Sequence, residues 1–325
     1  MEVAAYDHAP RVVAEAAYEV AGLALMDSLA CAFKALQDPK CTQLLGSLVP
    51  GATMAFGARV PGTSYQLDPV QAAFNIGTMV SWLQANDPAL ATASGRFADN
   101  LGAILAVADY RARKAIAEGD SPPRVRDLFG ALIRAQELAS LEWARSVLGN
   151  EALTATDGTR TVAGAAARCA LTRIASAACS VTLLGGTRDQ VAAAVAIARS
   201  EGHATGCPGA APDLDGHERW RIGDATSRGV RLALIALAGR AAPLPLAPPG
   251  NAAAMQRAVM AELDQTWQAV TAAPTVADRV RVRFTACVAT HFPAAQAGKL
   301  AAMFVDRASL EALPVNELVS MTVRN

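Results

Sequence analysis

Two apolar helix patterns enclose a polar loop between residues 59 and 113, and this arrangement constrains the fold more than any other part of the chain. The first pattern follows a turn rich in proline and glycine and ends at the Asn-Asp-Pro sequence of residues 86–88. The second pattern begins after Asp99-Asn100. Apolar residues at helical spacing on both sides of a polar segment predict two buried helices that present one loop. We therefore expect a helical protein with a polar site at this loop.

Three segments of the chain resemble a known family. Residues 61–77 read PGTSYQLDPVQAAFNIG, residues 219–240 read RWRIGDATSRGVRLALIALAGR, and residues 314–317 read PVNE. Each is similar to the corresponding part of 2-methylcitrate dehydratases of the MmgE/PrpD family, and the chain resembles the helical domain of that family along nearly its whole length. The resemblance implies an all-α, multi-helical fold. A content of 52% hydrophobic residues with only 5% aromatic residues also suits closely packed helices.

The domain organisation is expected to differ from that of the family, in which a smaller α+β lid domain covers the active site. We expect residues 1–240 to form the helical domain and the Pro/Ala-rich residues 241–252 to form a linker that replaces most of the lid. Residues 253–325 are expected to form a C-terminal helical segment that packs back on the same domain. The stretch from Val280 to Phe284 is interpreted as a strand remnant of the lid.

The polar loop departs from the family pattern at the positions that carry the chemistry. By the resemblance, Gln84 stands where family members have a loop aspartate, and Arg96 stands where they have a loop histidine. Arg168 replaces a second histidine, and Glu218 replaces a lysine. Proton abstraction and loss of hydroxide need a base, an acid and cations that hold the substrate carboxylates. We therefore expect no dehydration of 2-methylcitrate or citrate.

The cleft at the loop is still predicted to be the functional site, because helices with family motifs flank it on both sides and a pocket depends on that framework. The residues expected to handle protons are Asp87, Asp99 and Glu218. The residues expected to bind substrate are Tyr65, Gln84, Asn86, Arg96, Arg168, His203 and Trp220.

Structural roles are open for the same residues. Asp87 and Asp99 each precede a helix pattern and are equally suited to cap it. Arg96 and Arg168 are suited to ion pairs with Asp87 or Glu218 that would hold the cleft in shape, or to steering a single carboxylate or carbonyl group. Packing or surface roles are also open for Tyr65, Trp220 and His203.

Charge, cysteine and motif content argue against several classes of protein. The 29 basic residues balance 29 acidic residues, so no long-range field attracts nucleic acid or an anionic membrane. The six cysteines form no CxxC pair and no leader pattern is found, which predicts a reduced, cytoplasmic protein. We expect no apolar run of the ~20 residues that span a bilayer. Without a metal-ligand or cofactor motif, we also expect neither a metal nor a cofactor.

Two functions from different classes fit these observations. In the first, the chain is a repurposed enzyme of specialised natural-product metabolism that catalyses cyclisation, isomerisation or elimination on a neutral or hydrophobic small molecule. In the second, it is a catalytically inactive family member that binds a ligand or a partner such as an active relative. A working 2-methylcitrate dehydratase is the least favoured interpretation. A homodimer is expected in either case, because an uncovered cleft exposes apolar surface.

Overall fold

The computed structural model describes residues 13–148, 165–201, 217–240 and 252–324. Helices dominate this part of the chain, so the prediction of an all-α fold is confirmed. In chain order the helices are α1 (Glu15–Ala35), α2 (Pro39–Thr42), α3 (Pro69–Ser81), α4 (Leu101–Glu118), α5 (Val125–Leu148), α6 (Ala165–Leu183), α7 (Arg188–Ser200), α8 (His217–Leu237), α9 (Ala252–Thr271), α10 (Pro274–His291), α11 (Ala294–Met303), α12 (Arg307–Ala312) and α13 (Val315–Thr322).

Two short antiparallel hairpins lie in the loops on either side of α3. Strand β1 (Ala58–Arg59) pairs with β2 (Gln66–Leu67), and β3 (Ala91–Thr92) pairs with β4 (Gly95–Arg96). The second hairpin lies in the predicted polar loop, between two short 3₁₀ helices, Pro88–Leu90 and Phe97–Asn100. The loop is therefore an ordered structure with its own hydrogen bonds.

Helix α1 lies at the centre of the core, and α3, α5, α9 and α10 all pack against it. Its large side chains, including Leu25, Leu29 and Phe33, are almost fully buried. Among the described residues, α1 is the one helix long and apolar enough to cross a membrane, although the sequence was expected to contain no such run. Most of its apolar window is buried inside the fold, as in the core helix of a globular protein.

Small residues allow α8 to approach α3 closely. A Cβ atom on Gly223 of α8 would lie 2.2 Å from the Thr78 hydroxyl and 2.6 Å from the Phe74 carbonyl oxygen on α3. Three residues further along α8, the Thr226 hydroxyl donates a hydrogen bond of 3.1 Å to the Ala73 carbonyl. These residues belong to the GDATSR segment, so that motif packs α8 against α3, the helix that precedes the polar loop.

Helices α1 and α10 run parallel and pack along their length. Asp27 of α1 forms an ion pair with Arg283 of α10. Further along both helices, the rings of Phe33 and His291 stack with centroids 5.6 Å apart and planes 8° from parallel. Since the two contacts advance in the same direction on both helices, α10 extends from the polar loop along the face of α1.

One predicted element was wrong. The stretch from Val280 to Phe284 is helical, within α10, and does not form a strand. Its alternating charges were misleading, because Val276, Val280, Phe284 and Val288 form the buried stripe of a helix. The domain division stays a prediction, and residues 241–251 of the proposed linker lie outside the described residues.

Candidate functional site

Asp87 lies at the start of the polar loop and has two structural partners. Its carboxylate accepts a hydrogen bond of 3.0 Å from the backbone N–H of Ala89 and so caps the first 3₁₀ helix. The guanidinium of Arg279 on α10 donates to both carboxylate oxygens, from Nε at 3.1 Å and from Nη2 at 3.1 Å. The capping role that the sequence left open is therefore the role that the structure shows.

A second carboxylate, Asp27 of α1, lies beneath the same turn. It accepts a hydrogen bond of 3.0 Å from the side-chain amide of Asn86 and one of 3.2 Å from the backbone N–H of Asp87. Arg283 forms an ion pair with Asp27 and also donates a hydrogen bond of 2.6 Å to the Ala85 carbonyl. Helix α10 thus holds the loop through two arginines one helical turn apart.

Asp99 is the third buried carboxylate of the loop and connects it to α6. Its Oδ1 accepts a hydrogen bond of 2.6 Å from Nη2 of Arg168, and its Oδ2 accepts one of 3.2 Å from Nε. Oδ2 also accepts a hydrogen bond of 2.9 Å from the backbone N–H of Arg96. Burial lowers the pKa of Arg168, but the charge and hydrogen bonds of Asp99 outweigh it and the pKa is raised. Arg168 therefore pairs with Asp99, and the suggested pairing with Asp87 is wrong.

Arg96 differs from the other arginines at this loop. Its backbone is fixed by β4 and by Asp99, whereas its guanidinium has no hydrogen bond or ion pair with any described residue. It lies near Cys31, whose pKa burial raises to about 12, with Cys287 adding to the rise and Arg96 and Lys34 opposing it. A half-buried cation beside a buried thiol is free to bind an external acceptor.

A buried hydroxyl network supports the hairpin that carries Arg96. The side-chain amide of Gln136 on α5 donates hydrogen bonds of 2.6 Å to the Thr92 hydroxyl and 3.2 Å to the Ser94 hydroxyl. The Ser94 hydroxyl lies 2.9 Å from the Thr92 hydroxyl and 2.9 Å from that of Ser140. This network holds β3 and β4 against α5 and so fixes where the Arg96 backbone lies.

The other predicted site residues lie in separate surroundings. Gln84 is exposed in a turn with a positive φ of 48°. Tyr65 is 39% exposed and packs against Gly46, and Trp220 packs against Phe74 with ring centroids 6.0 Å apart. These contacts favour the structural alternatives for the two aromatic residues. His203 and the side chain of Glu218 lie outside the described residues.

Sequence reasoning missed Arg279 and Arg283, which hold the loop from the C-terminal part of the chain. They belong to the sequence RVRVRF, of which Val280 to Phe284 was predicted to be a strand remnant of the lid. The helical spacing of the valines before and after it would have indicated a helix with both arginines on neighbouring turns. No group of three or more potential metal-ligating side chains occurs among the described residues.

A cavity of about 550 Å³ lies between α1, α4, α5 and α6, away from the Arg96 hairpin. Arg111 lines it ten residues after the start of α4, or about 15 Å along the helix. Arg111 donates to the Leu183 carbonyl at 2.6 Å, and Arg126 is paired with Glu15 at 3.1 Å. Because these cations bind groups of the protein itself, the loop offers the better candidate site.

Comparison with known proteins gives one family and a consistent set of relatives. A profile of the MmgE/PrpD N-terminal domain matches residues 3–254. The 2-methylcitrate dehydratase of Salmonella typhimurium is 41% identical over 231 residues, which are 70% of this chain and 44% of that protein. The enzyme of the same name from Cupriavidus necator is 42% identical over 226 residues, 69% of this chain and 43% of that protein.

A relative with a different name matches the same part of the chain. The 2-methylcitrate dehydratase-like protein oryR of Aspergillus oryzae is 33% identical over 241 residues, which are 73% of this chain and 45% of that protein. The chain therefore aligns with less than half the length of the curated relatives it matches.

Proposed function

This chain belongs to the MmgE/PrpD family, and we propose that it is a repurposed member that binds a small molecule other than 2-methylcitrate at the polar loop. One observation carries the proposal. The two described carboxylates predicted to handle protons, Asp87 and Asp99, are each held by both oxygens in an arginine pair and also accept a backbone N–H. A general base must reach the proton it abstracts with a free lone pair. Both carboxylates serve here as structural groups.

The charges of the loop favour a substrate with little negative charge. The pairs Asp27–Arg283, Asp87–Arg279 and Asp99–Arg168 each cancel one negative and one positive charge. A tricarboxylate would have to displace these pairs to gain several cations. A neutral or largely hydrophobic substrate avoids that cost, and its cyclisation, isomerisation or elimination can be driven by orientation in a preformed site. Such reactions are typical of specialised natural-product metabolism.

The same ion pairs favour a second candidate, a catalytically inactive member that binds a ligand or an active relative. A protein that only binds a ligand needs no side chain that transfers protons. Asp87 and Asp99 are both paired with arginines, so neither is available in the described loop as a general acid or base. The two candidates make different predictions for a bound compound. An enzyme returns it chemically changed, whereas a binding protein returns it unchanged.

The experiment uses the full chain and begins with 2-methylcitrate, citrate and cis-aconitate followed by ¹H NMR. We expect no product from any of them. A panel of neutral and hydrophobic compounds is then screened by thermal shift, and each stabilising compound is incubated with protein and recovered for mass spectrometry. Steady turnover of 2-methylcitrate that Asp87→Asn abolishes would overturn the proposal, and recovery of all ligands unchanged would favour the inactive member.

Self-association and location are part of the proposal. Leu48, Val49 and Phe56 are 84%, 65% and 47% exposed in the segment between α2 and β1, and apolar clusters of this kind are typical of contact surfaces. We propose a homodimer that uses this segment in a reducing cytoplasm. None of the five described cysteines forms a disulfide with another described residue, which is compatible with that compartment. Sedimentation of the native chain and of a Leu48→Asp, Val49→Asp variant tests the dimer.

A further inference from the structure

We infer that Arg96 is the ligand-recognition residue of the loop and that it binds the single carboxylate of a small molecule whose remaining surface is apolar. The inference rests on the proposed function, because it assigns a chemical class to the ligand of the same site. The proposed class of ligand, neutral or largely hydrophobic small molecules, is thereby restricted to hydrophobic monocarboxylates.

Arg96 differs from the other arginines at the loop because its charge is not neutralised by a carboxylate. Three of the four arginines there are bound to buried aspartates, each carboxylate being at most 6% exposed. Arg96 has no carboxylate, hydroxyl or carbonyl partner among the described residues. One unneutralised guanidinium in the described loop matches one carboxylate. Lys34 of α1 is another cation near Cys31, but it is exposed and outside the loop, so solvent screens its attraction for a second carboxylate.

The geometry of the hairpin makes Arg96 a fixed point from which a guanidinium can be presented. Arg96 pairs with Ala91 in the β3–β4 register, and its N–H is held by Asp99 at 2.9 Å. Gly95 precedes it with a φ of 148°, where a Cβ would lie 2.7 Å from the Asp99 carboxylate. The backbone is thus constrained on both sides of the turn, so that only the Arg96 side chain has to be ordered when a ligand binds.

The surroundings of Arg96 favour a ligand with an apolar body. The neighbouring Cys31 is 2% exposed and behaves as a small apolar residue, and the Leu90 and Phe97 side chains on either side of the hairpin are buried. A guanidinium fork binds a carboxylate through two parallel hydrogen bonds, which is stronger and more specific than a bond to a neutral carbonyl. Further polar groups on the ligand would lose water beside these apolar residues without gaining a partner, so a single carboxylate on an apolar body is favoured.

The test compares 4-phenylbutanoate with 4-phenylbutanamide, which have the same hydrocarbon body and differ in charge. Affinities are measured by ligand-observed NMR on the full chain, on Arg96→Gln, and on Lys114→Gln, which removes a surface cation on α4. We expect the native chain and Lys114→Gln to bind the carboxylate at least tenfold more tightly than the amide. Arg96→Gln is expected to lose that preference while keeping its circular dichroism and unfolding midpoint.

A carboxylate preference that survives in Arg96→Gln would overturn the inference, as would its absence from the native chain. Tricarballylate, a tricarboxylate of comparable size, must bind more weakly than 4-phenylbutanoate, and the reverse order would also overturn it. Equal binding of the acid and the amide rejects the role of Arg96 and leaves the proposed function standing. The proposed function fails separately, if 2-methylcitrate is turned over.

Discussion

Arg279 binds Asp87 through both carboxylate oxygens across 192 residues of sequence, with Nε and Nη2 each 3.1 Å from an oxygen. This pair joins helix α10 to the start of the polar loop. One turn later on α10, Arg283 pairs with Asp27, which lies under the same loop. The loop conformation therefore depends on contacts that are distant in sequence, and the two ion pairs differ in how deeply they are buried.

The difference in burial predicts unequal effects of removing the two arginines. Arg279 is 54% exposed and solvent screens its pair with Asp87, so Arg279→Ala is expected to lower the free energy of unfolding much less than Arg283→Ala does. Arg283 is 30% exposed and its partner Asp27 only 2%, so Arg283→Ala leaves a buried charge and is expected to cost about 3–5 kcal/mol. Urea unfolding of the two variants at neutral pH measures both values.

The control for Arg283 is the double variant Asp27→Asn, Arg283→Ala. Removing the buried charge together with its partner should recover part of the stability that Arg283→Ala loses, and a double-mutant cycle gives the coupling between them. If the double variant is as unstable as the sum of the single variants, the two side chains act independently and the ion pair does not account for the loss.

Local sequence signals were sufficient for much of the site. Asp87 precedes a proline, and this position predicts the capping role that the structure shows. Asp99 does not cap α4, because the N-cap of that helix is Asn100, and the Asp99 carboxylate accepts the backbone N–H of Arg96 instead. The arginine partners could not be assigned in the same way. Arg168 had Asp87, Glu218 or a ligand as possible partners, and only the packing of α6 against the loop brings it to Asp99. An ion pair depends on the relative positions of two elements, which periodicity does not encode.

The predicted strand from Val280 to Phe284 shows the other limit. Apolar residues recur every second residue in a half-buried strand and about every 3.6 residues in a helix. Over only six residues these two patterns cannot be told apart, so a short alternating segment is compatible with either element. The apolar residues of the neighbouring turns, Val276 and Val288, extend the helical stripe, and they decide the outcome because a longer helix buries more apolar surface against α1.

The His291 ring predicts a pH-dependent contribution to stability. Burial lowers its pKa from 6.5, the hydrogen bond to the Gly62 carbonyl opposes that shift, and the charge of Arg324 adds to it. Since the folded-state pKa is below the unfolded-state value, the unfolded chain binds the proton first as the pH falls. The contribution is therefore full above pH ~6.5 and decreases as the pH falls from there to the folded-state pKa.

The measurement compares unfolding free energies at pH 7.5 and 5.5 for the native chain and for His291→Asn, which keeps a donor for the Gly62 carbonyl. Other titrating groups contribute equally to both proteins and cancel in the difference. The native chain should lose more stability than the variant between these two pH values. An equal loss would mean that His291 does not titrate differently in the folded and unfolded states.

Cys31 and Cys41 are expected to resist alkylation in the folded protein. Burial raises the pKa of each thiol to about 12, so almost no thiolate is present at pH 8, and the thiolate is the reactive form. Iodoacetamide labelling at pH 8 followed by peptide mass spectrometry should leave both unmodified in buffer and modify both in urea. Modification of Cys31 at the same rate in both conditions would contradict its burial beneath the Arg96 hairpin.

The close packing of α8 on α3 predicts opposite effects of adding one methyl group at two helical glycines. At Gly223 the new Cβ would lie 2.2 Å from the Thr78 hydroxyl and 2.6 Å from the Phe74 carbonyl oxygen, which is backbone and cannot rotate away. Gly223→Ala must therefore separate the two helices, at a cost of about 1–3 kcal/mol or more.

At Gly298 on α11 no atom lies within 4 Å of the new Cβ, so Gly298→Ala should gain about 0.5–1 kcal/mol from helix propensity. Urea unfolding of both variants gives the two signs, and a neutral Gly223→Ala would show that α3 and α8 do not approach as closely as the GDATSR motif implies.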